Sequence, residues 1–171
     1  GGAYNFTHCT INNERTTSSH VSLLLSNFVL DGNNQPVAYD LTEANFNNCI
    51  FYGSNSRQIS VNKDFTKQFE FKFENCLIKF DKAGNSQLIN HPEYEFEDGV
   101  HYIGNLIARN SSEFKPDFLD TANNKLNIGA DSAAKGAANF NFSTGTFDIL
   151  GNARTNPSDI GAYNFAIFPE E

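Results

Sequence analysis

Arg57, Asp81 and Arg109 each follow an apolar run that reads as a strand, and all three carry ionisable groups that could take part in acid–base chemistry. Such chemistry needs a base, usually Lys, Arg or His, and on an acidic substrate something to neutralise its carboxylate, often Ca²⁺ on Asp and Glu. Arg15 and Asp31 are placed similarly. The five share no common position in the chain's pattern, so the expected reading is solvated loop charge, with Arg57, Arg109 and Asp81 as the catalytic candidates. In the acidic run over residues 93–98, Glu93, Glu95 and Glu97 are the candidates for a cation, with Ca²⁺ the one cofactor they suggest. Their alternation with Tyr94 and Phe96 predicts an amphipathic surface strand that needs no metal. His20, His91 and His101 have no metal-ligand spacing.

Composition narrows the classes of partner. The formal net charge is −8, with 12 Lys and Arg against 20 Asp and Glu, which argues against nucleic acid, whose phosphates need clustered cations. No apolar run approaches the roughly 20 residues of a membrane span. The chain has 17 Phe, no Trp and 24 Asn, a composition of strands and turns. It contains no Met and opens Gly1-Gly2, so the expectation is that an upstream segment has been removed; no signal peptide is visible. Glycosylation triplets at Asn5, Asn110 and Asn141 are frequent in an Asn-rich chain and carry little weight.

The elements that would position any site come from a repeat. Three segments look alike: Phe6-Thr-His8-Cys9-Thr-Ile11, Phe46-Asn-Asn48-Cys49-Ile-Phe51 and Phe73-Glu-Asn75-Cys76-Leu-Ile78. Leu25-Ser-Asn27-Phe28-Val-Leu30 and Ile103-Gly-Asn105-Leu106-Ile-Ala108 fit the same frame. The pattern is apolar, any, Asn, apolar, any, apolar. The last two apolar positions are two apart, which is strand periodicity, whereas the first two are three apart, so the chain must bend at the Asn. Asn tolerates the left-handed conformation that a sharp bend requires. Starts near 6, 25, 46, 73 and 103 give spacings of 19, 21, 27 and 30 residues, which suit a solenoid with loops of variable length.

The expected fold is therefore all-β: a right-handed parallel β-helix with coils over residues 1–112, and a last coil and C-terminal cap over 113–171 in the same domain. Phe6, Leu25, Phe46, Phe73 and Ile103 should form one interior column, and Cys9, Phe28, Cys49, Cys76 and Leu106 the next. Asn27, Asn48, Asn75 and Asn105 should form a ladder of stacked amides, with His8 at the same position. The three Cys then act as small buried hydrophobes with free thiols. A leucine-rich repeat fits less well, because the Asn precedes the strand and no helix joins the coils. A β-sandwich is the non-repeat alternative.

After residue 113 come Lys125-Leu-Asn-Ile128, Asp148-Ile-Leu-Gly151-Asn-Ala-Arg154 and Asp159-Ile-Gly161-Ala-Tyr163. Together with the Asn-Cys strands, this order resembles the closing segment of bacterial secreted and surface β-helix proteins of the pectate-lyase-like superfamily. Ala133 stands where that pattern has Pro, and Asn164 where an acidic residue is common. The resemblance implies an extracellular, periplasmic or outer-surface location and a fold, but no single activity. Asp148, Gly151, Arg154, Asp159, Gly161 and Tyr163 are expected to build the cap, with Arg154 and Asp159 as a structural ion pair. Two functions follow: a non-catalytic surface protein that binds polysaccharide or serves a structural role, or the C-terminal part of a carbohydrate-active enzyme, a lyase or glycoside hydrolase, with catalytic residues upstream. The N-terminal end has no visible cap and should be covered by upstream coils or a neighbouring molecule.

Overall fold

The computed structural model describes residues 1–14, 20–81, 83–88, 90–110 and 112–169. The fold is all-β with parallel sheets. The strands are β1 (Gly2–Thr7), β2 (Thr10–Asn13), β3 (Leu23–Ser26), β4 (Phe28–Leu30), β5 (Pro36–Ala38), β6 (Leu41–Asn47), β7 (Ile50–Gly53), β8 (Ile59–Asn62), β9 (Lys72–Glu74), β10 (Leu77–Lys79), β11 (Tyr102–Ile103), β12 (Leu106–Ala108), β13 (Phe118–Asp120) and β14 (Lys125–Ile128). The first sheet has the order β1-β6-β9-β11 and the second β12-β10-β7-β2. All pairings within these two sheets are parallel. A third parallel pair joins β3 to β8.

Four successive passes of the chain cross from the first sheet to the second through one left-handed residue: His8, Asn48, Asn75 and Gly104, with φ of 55°, 52°, 50° and 62°. Three neighbouring backbone bonds repeat at that corner, from His8 N to Asn47 O, Asn48 N to Glu74 O and Asn75 N to Ile103 O. Before the corner, aromatic rings stack through the core. The Phe6–Phe46, Phe46–Phe73 and Phe73–Tyr102 centroids are 5.2, 4.7 and 5.4 Å apart, with interplanar angles of 4°, 13° and 5°. After the corner the amide of Cys9 points at Cys49 Sγ, that of Cys49 at Cys76 Sγ, and that of Cys76 at Asn105 Oδ1. All three thiols are free. Hydrogen bonding within the ladder and burial push the Cys9 and Cys49 thiols well above their ordinary range, so they behave as packing groups.

The columns differ from expectation at two frames. Leu25 pairs with Val61 in the third sheet and does not join the Phe column, and Phe28 pairs with Ala38 in the antiparallel β4–β5 hairpin. The frame at 103 is displaced by one residue. Tyr102 faces Phe73, Gly104 makes the bend, and Asn105 occupies the position behind Cys76. Ile103 sits opposite Glu74, while Leu106 pairs with Leu77 in the second sheet. The repeat running through Phe6, Phe46, Phe73 and Tyr102 therefore has spacings of 40, 27 and 29 residues.

The two faces of the second sheet serve different packings. Phe51, Ile78 and Ile107 join the core enclosed with the first sheet. Ile50, Tyr52, Leu77 and Ala108 point the other way, where they pack with Ile128, Ala134 and Ile160 of the C-terminal segment. That segment therefore lies along the outer face of the second sheet, contrary to the expected cap over the last pass. The far end is closed instead by the insertion between β10 and β11, whose Tyr94 and Phe96 are buried against Phe80 and Tyr102. The glutamates of this insertion lie in a 3-10 turn over Pro92–Tyr94 and the turn after it, not in a strand.

Phe46 has aromatic neighbours on both faces, whereas Phe6 terminates the column and remains 41% exposed. Phe46→Ala is expected to lower unfolding free energy by about 3–5 kcal/mol, as for a fully buried Phe. Phe6→Ala should cost clearly less. Urea unfolding of the two variants checks this; equal losses would contradict the stacked column.

Candidate functional site

Successive pairings across the second sheet set its outward side chains in rows. Thr10, Ile50, Leu77 and Leu106 form one row, and Asn12 with Tyr52 and Lys79 with Ala108 form the next. The C-terminal segment lies on the first row: the Ala162 amide donates to Thr10 Oγ1 at 2.9 Å, and Gly161 N donates to Asn48 O at 2.8 Å. A Cβ on Gly161 would come within 2.6 Å of both Ile50 Cδ1 and Thr10 Oγ1, and φ is +96°, so only glycine allows this approach.

Tyr52 and Lys79 of the second row floor a cleft of about 470 Å³, lined also by Glu14, Lys115, Asp117 and Asp131, among others. That volume suits a small ligand or one or two units of a polymer. Lys79 Nζ donates to Gly53 O at 2.6 Å and Ser54 O at 3.3 Å, and lies 5.3 Å from the Tyr52 ring centroid. Burial lowers the Lys79 pKa, with Glu14 and Asp81 opposing, and burial together with Glu14 raises that of Tyr52. Asp117 has a left-handed backbone, φ 48°, held by a bond from Gly129 N to its carbonyl at 2.8 Å; its carboxylate accepts from Asp131 N at 3.2 Å. One wall of the cleft is thus fixed in an unusual conformation by its own hydrogen bonds. Two ammonium groups, three carboxylates and an aromatic floor can together hydrogen-bond and stack on a polyhydroxylated ligand.

The sequence did not single out this cleft. Tyr52 and Lys79 are each the fourth residue after a bend, Asn48 and Asn75, and that shared offset is the signal by which they were findable. Of the catalytic candidates, Arg57 and Asp81 lie beside each other: Arg57 bridges Phe80, and Asp81 N bonds Ser56 O at 2.6 Å. Asp81 Oδ1 caps the next turn through Ala83 N at 2.9 Å. Arg109 is elsewhere, ion-paired to Glu97. Arg15 lies outside the described residues. Glu93 contacts His91 at 2.5 Å, and Glu95 is exposed, so the three glutamates do not converge. Among the described residues, no group of three or more His, Cys, Asp or Glu could hold a metal ion.

At the corner, His8 and Asn48 tie the first two passes to the C-terminal segment. His8 Nε2 lies 2.8 Å from Ser143 Oγ and 3.2 Å from Asn48 Nδ2. The amide can only donate there, which places the His8 proton on Nδ1. Asn48 also donates from Nδ2 to Asn139 O at 3.0 Å and accepts from Asn139 N at 2.9 Å. A Ser and a His at this distance have the geometry of a nucleophile and its base. Ser143, however, is 0% exposed, which closes it to substrate. Asn75 is half-buried at the same corner, and no amide bond joins it to Asn48 among the described residues. Asn27 is fully buried at a different corner, bonded to Asp64 and Gln68, and Asn105 reaches back to Phe73 O at 2.9 Å. The four do not form one ladder, because Asn27 belongs to the third sheet and Asn105 stands one residue past the bend.

The C-terminal motif residues form their own network. Asp148 accepts from Leu150 N and Asn152 N at 2.9 and 2.8 Å, and Gly151 N donates to Asp148 O. Asp159 accepts from Gly136 N and Phe165 N, both at 2.7 Å. Arg154 donates to the backbone carbonyls of Asp159 and Gly161 at 3.1 and 2.7 Å, and no Arg154–Asp159 ion pair forms. The Asp159 carboxylate is occupied by backbone amides instead. Tyr163 is half-buried.

Comparisons with protein-family models, with curated proteins and with solved structures return no significant match.

Burial, reinforced by the nearby positive charge of Arg154, lowers His8 from 6.5 to about 4. A histidine kept neutral in the fold leaves its stabilising contribution intact above pH 6.5, and that contribution is lost as pH falls from 6.5 towards 4, because only the unfolded chain takes up the proton in that window. Urea midpoints measured across this range should fall with acidity, and His8→Asn should flatten the fall. An unchanged slope in the variant would contradict the neutral His8. Asn48→Ala should cost about 1–3 kcal/mol at neutral pH by leaving the Asn139 backbone unpaired.

Proposed function

We propose that the chain is part of a right-handed parallel β-helix of the pectate-lyase-like kind, and that it binds polysaccharide on a bacterial surface or in a secreted protein without turning it over. Three observations support the architecture: parallel pairing through successive passes, one left-handed residue at the same corner of each pass, and inward aromatic and cysteine columns. Right-handed crossing is the overwhelming rule for parallel strands joined within one sheet. The binding reading rests on the cleft over Tyr52 and Lys79, whose floor is rigid sheet and whose walls carry mixed charge. Arg57, Asp81 and Arg109 do not meet in it, which favours binding over elimination or hydrolysis.

A panel of pectin, alginate, glycosaminoglycan and neutral oligosaccharides tests the reading by calorimetry, with and without Ca²⁺. Saturable binding of at least one glycan is expected, weakened about 10- to 150-fold by Lys115→Ala through loss of a charged hydrogen bond worth about 1.5–3 kcal/mol. No ultraviolet-absorbing unsaturated product should accumulate. Turnover above a heat-treated control would replace this reading with that of a carbohydrate-active enzyme.

A further inference from the structure

The two ends of the stacked passes are not alike. Tyr94 and Phe96 close the far end, whereas β1 and β2 end their sheets with one edge unpaired among the described residues. All six residues of β1 are exposed, and Tyr4 and Ile11 are exposed with Phe6. Such an edge presents main-chain donors and acceptors that a further strand can pair with. A groove of about 550 Å³ lies there, between Phe6, His8, Cys9 and Ile11 on one side and Phe147 and Ile149 on the other. The C-terminal segment thus overhangs the first pass with apolar side chains: Phe147, Ile149 and Leu150 are 65%, 67% and 64% exposed.

One polar atom in the groove also lacks a partner. Arg154 lines it, is 6% exposed, and its Nε is buried without a hydrogen bond. Cys49 and Cys76 each receive a backbone amide from the preceding pass, while no amide donates to Cys9 Sγ among the described residues. Each feature marks where the next pass would stand. Phe6 needs an aromatic ring on its free face, Cys9 an amide, and Arg154 an acceptor such as a main-chain carbonyl.

We infer that this end is a docking edge for one further strand–bend–strand of the same frame, supplied by polypeptide outside residues 1–171 and entering parallel to β1 and β2. Main-chain pairing supplies affinity, and the ring, bend and small-residue positions supply selectivity. A second copy fits less well: its far end is closed, and its open end would meet this one with the strands reversed, which breaks the columns. The inference is independent of the glycan reading.

The test uses the whole chain and a fluorescent peptide reproducing residues 43–53 with Cys49→Ser, followed by anisotropy and by hydrogen exchange. Saturable binding is expected, with slower amide exchange confined to β1, β2 and the 147–150 loop. Ile149→Asp should abolish binding and leave the melting temperature unchanged, because that side chain is exposed. Failure to bind, equal binding of a scrambled peptide, or undiminished binding by Ile149→Asp overturns the inference. A sedimenting dimer that Ile149→Asp dissociates overturns it in favour of self-association.

Discussion

One left-handed residue at the corner of each pass is the constraint on which the rest of the structure depends. His8, Asn48, Asn75 and Gly104 share nearly the same backbone conformation. That conformation resets strand alternation, so that Phe46 before the bend and Cys49 and Phe51 after it all point inward. A shift of one residue would exchange the faces and expose the core. It also fixes what points outward: Ile50 and Tyr52 after one bend, Leu77 and Lys79 after the next. Core columns and outer rows are two consequences of the same corner.

The corner also anchors the C-terminal segment. Asn48 uses its side chain to bind both backbone groups of Asn139, and its carbonyl accepts from Gly161. A residue chosen for its backbone conformation thus doubles as the attachment point for a distant part of the chain. Gly161 brings that segment down onto Ile50 and Thr10, and the cleft over Tyr52 and Lys79 forms beside this contact. The cleft lies between that face and the segment's own Lys115, Asp117 and Asp131.

The frames at 6, 46 and 73 were legible in the sequence because like side chains stack on like: Phe on Phe, Cys on Cys, Asn beside Asn. Leu25 to Leu30 matched the pattern without belonging to the stack, since six residues encode a bend and two strands but not which strands they meet. At 103 both Tyr102 and Ile103 are apolar, and Gly104 bends as readily as Asn, so the frame slipped by one. The C-terminal motifs announced local turns, which Asp148 and Asp159 make, but docking against the second sheet depends on contacts far apart in sequence, such as Asn48 with Asn139. Arg154 and Asp159 looked like an ion pair because opposite charges stood five residues apart; backbone amides reach the carboxylate first. The cleft was hidden because its groups, from Glu14 to Asp131, come from separate stretches, and only folding brings them together.

The position of the C-terminal segment is the feature that most separates this account from a simple end cap. It places Gly161 against the Ile50 side chain. A nuclear Overhauser spectrum of methyl-labelled protein reads that contact directly. Docking on the outer face of the second sheet predicts a strong cross-peak between the Ile50 δ1 methyl and the Gly161 α protons. Cross-peaks from Gly161 or Ile160 to Tyr94, Phe96 or Tyr102, with none to Ile50, would place the segment over the far end and contradict the account.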